Sequence, residues 1–260
     1  MERISSAQNP TLKLARKLLK STRERNRTGK ILLDGPHLVR GYSQQFGLSG
    51  AVLLVEEGAT RSPEIRDLVG SIPDDARIFE ISPRDFAGIA PVDTPAGIIA
   101  LCDRPEVPAV DQPAFVLMLD GIQNPGNLGS ILRTAAASGV DEVVLSSQCA
   151  DPWSPKCLRG GMGAQFVLPA RIDIDVEQFA ARFEGKRVAT SSHVGQPLTS
   201  ANLTGRVLIM FGGEGAGLNG GLMGCADVAV RIPLKHGMES LNVGAAVAMF
   251  CYEHLRQSAD

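Results

Sequence analysis

Short apolar runs alternate along this chain with polar stretches of helical length, the rhythm of an α/β protein. In the first third, Ile31–Leu33, Ala51–Val55, Arg77–Ile81 and Gly97–Cys102 predict strands, with helices over Pro36–Phe46 and Pro63–Val69 between them. Ahead of these, Leu12, Leu14, Leu18 and Leu19 make an apolar stripe among Lys and Arg, which predicts one amphipathic helix over Thr11–Arg27. The segment 103–113 (DRPEVPAVDQP) is rich in proline and acids, the composition of an extended linker, and predicts two domains, 1–106 and 107–260. Beyond it the apolar runs Ala114–Leu119, Glu142–Leu145, Arg187–Thr190, Arg206–Phe211 and Val228–Ile232 are continuous instead of alternating. Continuous runs suit strands buried on both faces, hence a parallel sheet. Helical patterns fall at Asn127–Ser138, at Val176–Phe183 and from Leu241 to about Gln257. The last is apolar almost all round in Val243–Cys251, so it needs cover on more than one face, inside the domain or across a subunit interface.

Composition narrows the class. The 260 residues are 44% hydrophobic and 21% charged, with 28 Gly and 16 Pro in no regular period, which excludes disorder, collagen and coiled coil. Apolar runs stay well short of the ~18 residues of a membrane span, and the polar opening MERISSAQNP lacks an export signal, so a cytoplasmic protein is expected. Cys102, Cys149, Cys157, Cys225 and Cys251 are widely spaced with no CxxC, and His37, His193, His236 and His254 stand apart. That pattern predicts free thiols and no metal.

Charge is unevenly placed. Residues 1–40 hold ten Lys and Arg against three acids, a surplus of +7, which leaves −9 for residues 41–260 of a chain whose net charge is −2. A basic segment beside an acidic remainder fits one part that meets a polyanion and another that does chemistry, with Lys13, Arg16, Lys17 and Lys20 the candidate contacts to nucleic acid. A solvated helix face is the alternative, and charge does not separate the two.

Ligands in open α/β sheets collect beyond the carboxyl ends of the strands, where three polar or glycine-rich clusters lie. The first, Asp120–Arg133 (DGIQNPGNLGSILR), has Asn127 after its glycines where a P-loop needs Lys, so nucleotide triphosphate hydrolysis is disfavoured. The second, Phe211–Leu218 (FGGEGAGL), lacks the sixth-place glycine of a dinucleotide fingerprint, and Glu214 is a poor neighbour for pyrophosphate. The third, Ile232–Val243 (IPLKHGMESLNV), places Ser240 and Asn242 where the last helix begins. Taken singly, each has a plain structural explanation: helix capping for Asn127, Ser240 and Asn242, a surface cation for Arg133, an exposed turn for Glu214.

Together, NxGxxxR at Asn127–Arg133, Gly-Glu-Gly at Gly213–Gly215 and Ile-Pro-(x)6-Ser-Leu-Asn at Ile232–Asn242 resemble, in that order, the three motifs of the SpoU (TrmH-like) RNA ribose 2′-O-methyltransferases. The likeness spans roughly 115–256, and the text at Ser5–Asn9 and Leu33–Leu38 is similar to the substrate-binding domain that precedes the catalytic one in ribosomal-RNA members. The resemblance implies an α/β fold in which a small α/β RNA-binding domain precedes a parallel sheet tied in a deep trefoil knot, a rare exception to the rule against knotted chains. It implies S-adenosylmethionine as cofactor, held by Gly212, Ile232 and Leu241 with Thr190 nearby, and a homodimer packed through the last helix. It credits Arg133 with activating the ribose hydroxyl, with Asn127, Glu214, Ser240 and Asn242 positioning the reacting groups. A guanidinium keeps its proton in proteins, so a phosphate clamp that orients the hydroxyl suits Arg133 better than a base. The implied substrate is 23S-type ribosomal RNA; transfer RNA, or a catalytically silent RNA-binding protein of the same fold, are the alternatives.

Overall fold

The computed structural model describes Met1–Ser258, which form two compact units: 1–106 with 151–166, and 107–150 with 167–258.

The first unit runs β1 (Glu2–Ile4), α1 (Pro10–Lys20), α2 (Thr22–Thr28), β2 (Lys30–Asp34), α3 (Pro36–Phe46), β3 (Val52–Glu56), α4 (Pro63–Gly70), β4 (Arg77–Ile81), α5 (Pro83–Ala87) and β5 (Ile98–Asp103). Its five strands lie in the order β1-β4-β3-β5-β2, with β5 antiparallel to both neighbours. Leu12, Ala15 and Leu18 of α1 pack with Leu32, Leu54, Phe79, Phe86 and Ile99 in a core on one side of that sheet. Most of these helices begin on a proline, whose fixed φ and missing N–H suit the first turn.

The amphipathic segment is two helices, where one over Thr11–Arg27 was expected. Ser21 takes an extended conformation, donates its N–H to the Lys17 carbonyl and accepts the Glu24 N–H on its hydroxyl, ending α1 and capping α2 together. The break turns Arg25 inward. Its side chain is 4% exposed and donates to the Leu18 carbonyl, to Thr22 and to Asp151, the last at 2.7 Å. Asp151 opens the segment 151–166, with α7 (Pro155–Gly161), which joins this unit although it lies between two strands of the other. The contiguous domain expected over 107–260 is therefore interrupted, because Cys157, Leu158 and Phe166 are buried here and Arg25 needs its carboxylate.

The second unit contains β6 (Phe115–Asp120), α6 (Pro125–Ala137), β7 (Glu142–Ser146), β8 (Ala170–Ile174), α8 (Val176–Arg182), β9 (Lys186–Ser191), β10 (Gln196–Pro197), β11 (Val207–Gly212), α9 (Gly220–Cys225), β12 (Val228–Arg231) and α10 (Val243–Ser258). Seven strands pair in parallel throughout, in the order β10-β12-β9-β11-β6-β7-β8. The apolar β6 and β11 lie inside and are buried up to their last residue, as the continuous runs predict. The strands that the pattern missed are peripheral. β8 alternates apolar and charged residues at one edge, and β10 is a two-residue pairing at the other. α10 packs against α6 and buries Val243, Val247, Phe250 and Cys251, with Phe250 edge-on to Phe211 of β11. Its other apolar side stays open, with Met249 45%, Tyr252 68% and Leu255 49% exposed, so this chain covers one face of a helix expected to need more.

Candidate functional site

β6 and β11 are parallel neighbours that end in register, Asp120 opposite Gly212, so the loops leaving their carboxyl ends meet. The approach is close enough to require glycine: a Cβ on Gly213 would stand 2.5 Å from the Gly121 carbonyl oxygen. A Cβ on Gly212 would stand 2.0 Å from the Gly217 backbone. Gly212 is thus demanded by the turn that follows it, and the space where its side chain would go is filled by protein.

Asn124, followed by Pro125, caps α6 by accepting the Gly126 N–H at 2.8 Å, which removes the capping explanation for Asn127 and leaves the Asn127 amide to act elsewhere. It donates through Nδ2 to Glu214 and accepts on Oδ1 from Nδ2 of Asn242 at 3.4 Å. Asn242 in turn accepts the Gly244 N–H at 2.9 Å on Oδ1, capping α10. A carboxylate that only accepts at one end and an N–H that only donates at the other fix the orientation of both amides between them. The loop after β6, the loop after β11 and the start of α10 are joined in one polar chain.

The other predicted site residues lie outside that chain. Arg133 is exposed on α6 and has no hydrogen-bond or ion-pair partner among the described residues. The helix turns its side chain roughly 120° away from Asn127. Ser240 is exposed in the segment between β12 and α10, flanked by half-buried Ile232 and exposed Leu241, with no hydrogen bond among the described residues; Asn242 is the cap. The Thr190 hydroxyl donates to the Met210 carbonyl at 2.8 Å and is spent inside the sheet. Nearby Cys149 donates to the Leu119 carbonyl, and burial raises its thiol pKa.

Besides the cap residue Asn124, two more residues at this end of the sheet escaped the sequence reading. Asp120 Oδ2 accepts from Asn219 Nδ2 at 3.3 Å, and Asn219 Oδ1 accepts the Leu222 N–H, capping α9. A lone acid closing an apolar strand was the available signal for Asp120, and Asn-Pro was the signal for Asn124.

In the first unit the basic candidates divide. Arg16 donates to the Ala7 carbonyl at 2.8 Å and pairs with Asp85 at 3.6 Å, and Lys17 lies 3.8 Å from Glu24. Lys13 and Lys20 are exposed, with no such partner among the described residues.

The model of the SpoU rRNA Methylase family matches residues 114–252, and that of the MRM3-like substrate binding domain matches 9–100. The chain is 34% identical over 258 residues to the Bacillus subtilis 23S rRNA (guanosine(2553)-2′-O)-methyltransferase RlmP, covering 98% of this chain and 100% of that protein. A crystal structure of an RNA 2′-O ribose methyltransferase superposes with a TM-score of 0.85 at 30% identity, over 99% of this chain and 100% of that one. The SpoU methyltransferase AviRb from Streptomyces viridochromogenes, in complex with AdoMet, superposes at 0.84 with 25% identity, over 97% and 99% of the two chains.

Proposed function

Because this chain belongs to the SpoU rRNA methylase family, we propose that it transfers a methyl group from S-adenosylmethionine to a ribose 2′-hydroxyl of 23S-type ribosomal RNA. The observation that carries this reading is the polar chain Glu214–Asn127–Asn242, since a scaffold has no need to join three segments far apart in sequence through side-chain hydrogen bonds at the ligand end of its sheet.

The donor set fits the cofactor. Glu214 offers a carboxylate to the positive charge that a sulfonium or amino group would bring, and Ile232 and Leu241 offer apolar surface to an adenosine. Gly215, at φ +90, faces open space with nothing within 4 Å of its Cβ position, so backbone stands free there to be approached. When bound, S-adenosylmethionine supplies an electrophilic methyl group for in-line attack by the ribose oxygen. Backbone groups at Gly212, Ile232 and Leu241 hold the cofactor in this reading, with Thr190 supporting them through the strand rather than by its own hydroxyl. Asn127, Ser240 and Asn242 orient the reacting groups. Arg133, exposed and without a partner among the described residues, takes a phosphate of the RNA and holds the neighbouring hydroxyl in line.

The reading includes a trefoil knot. Its support is that β12 lies on the β9 side of the sheet while α10, the next helix, returns to pack on α6 beside β6. It also includes a homodimer, for which the open stripe of Met249, Tyr252 and Leu255 on α10 is the natural seat, and a place in the cytoplasm with its RNA. Lys13 and Lys20 meet RNA phosphate in the first unit, with Arg16 and Lys17 adding charge from behind their acidic partners.

Titration calorimetry on chelator-treated protein tests the cofactor assignment: stoichiometric binding of S-adenosylmethionine is expected, and a folded protein that takes up none contradicts it. Methyl transfer to a 23S transcript, with transfer RNA alongside, tests the substrate.

A further inference from the structure

We propose that Asp120 and Asn219 form a clamp that holds the Glu214 loop in its working position, which makes both of them positioning residues for methyl transfer. The inference rests on the reading above.

The loop between β11 and α9 is rich in glycine, with few side chains to hold it. Gly213, Gly215 and Gly217 lie in it, the latter two at φ +90 and +68, and no atom stands within 4 Å of either Cβ position. Glu214 nevertheless has to meet Asn127. One end of the loop is fixed by the close pass of Gly213 against Gly121, and the Gly217 N–H donates to the Gly213 carbonyl at 3.0 Å. The far end is fixed by Asn219. Its backbone carbonyl accepts the Met223 N–H at 3.0 Å and its Oδ1 accepts the Leu222 N–H at 2.9 Å, tying it to α9, whose Leu222 is fully buried. Its remaining group, Nδ2, reaches Asp120 Oδ2. Asp120 stands opposite Gly212, where the loop departs, so one residue holds the departure through its backbone in the strand ladder and the return through its carboxylate on Asn219.

Capping α9 does not account for this choice of residue. Asp caps a helix about as well but carries no donor, and Ser or Thr would have to accept the cap and donate from one short hydroxyl; Asn separates the two, with Oδ1 for the cap and Nδ2 reaching the carboxylate.

That difference gives a test. Asn219→Asp keeps the cap and turns the donor into a second carboxylate facing Asp120. Adding Asp120→Asn restores the hydrogen bond with donor and acceptor exchanged. Asn219→Asp is expected to lower kcat about tenfold, as small misplacements of catalytic groups do, with KM for RNA within about twofold. The double variant is expected to recover to within about threefold of wild type. Hydrogen exchange at Gly215 and Gly217 is read in the same proteins and is expected to rise in Asn219→Asp and fall back in the double variant. Wild-type kcat in Asn219→Asp, or a double variant no better than the single one, overturns the clamp. Unchanged loop exchange overturns it whatever the activity. A wild-type protein that transfers no methyl group contradicts the proposed function instead, and leaves the exchange experiment to decide the clamp.

Discussion

Asn127 donates its side-chain amide to the carboxylate of Glu214, binding the helix that follows β6 to the loop that follows β11. The same side chain accepts from Asn242, so it is the hub of the site. Asn127→Ala is expected to lower kcat by at least about tenfold, since it leaves Glu214 without its donor. Asn127→Asp sets a carboxylate against Glu214 and should lower it further at neutral pH. Like charges at that distance raise the pKa of one of the pair, so part of the loss should return as the pH is lowered and one carboxyl takes up a proton. A pH–rate profile of the three proteins checks this.

Arg25 belongs to the basic segment by sequence and to the core by structure. Removing one partner of a buried ion pair strands the other, at a cost of about 3–5 kcal/mol. Arg25→Ala should therefore lower the unfolding midpoint markedly in urea. At a temperature where the variant stays folded, the salt dependence of RNA binding should match wild type.

Lys13 and Lys20 should behave in the opposite way. Lys13→Gln with Lys20→Gln should weaken RNA binding and lower the slope of log K against log salt by about 0.7–0.9 for each phosphate left without its cation, at unchanged stability. Arg16→Gln, which gives up the Asp85 pair and the Ala7 carbonyl, should cost stability as well. Binding titrations at several salt concentrations, beside thermal melts, separate the two.

Gly212→Ala tests why that glycine is there. The added methyl meets the backbone of Gly217 and Leu218. The turn must shift, at a cost of about 1–3 kcal/mol in stability, with Glu214 displaced and turnover reduced. A variant as stable as wild type that has lost only cofactor binding would contradict this and assign the space to the cofactor.

Much of the fold was legible in the chain because burial on both faces of a parallel sheet leaves continuous apolar runs, and β6, β7, β9 and β11 appear near their observed limits. β8 and β10 were missed because edge strands bury little and their composition reflects it. The helix break at Ser21 was missed for a different reason. The leucine stripe continues smoothly into the basic residues and overrode the local cap signal of Ser21 and Glu24, while the burial of Arg25 depends on Asp151, a partner 126 residues away that no local pattern reveals. The return of 151–166 to the first unit was hidden for the same cause. At the site, the motifs placed Asn127, Glu214 and Asn242 by likeness, but their hydrogen bonds to one another and the Asp120–Asn219 pair depend on the register of β6 with β11, which appears only in the fold.

Methyl transfer to a ribose 2′-oxygen, with Arg133 acting on the RNA, can be followed in one product analysis. Labelled S-adenosylmethionine and 23S-type RNA are incubated with wild type or Arg133→Ala, and the RNA is then hydrolysed in alkali. A 2′-O-methyl group blocks the hydroxyl that attacks the adjacent phosphate, so wild type should leave its label in an alkali-resistant dinucleotide. Arg133→Ala, altering an exposed residue with no partner among the described ones, should leave none while binding cofactor and unfolding as wild type does. Label released in mononucleotides would contradict ribose methylation, and near-full turnover by Arg133→Ala would contradict the role given to that side chain.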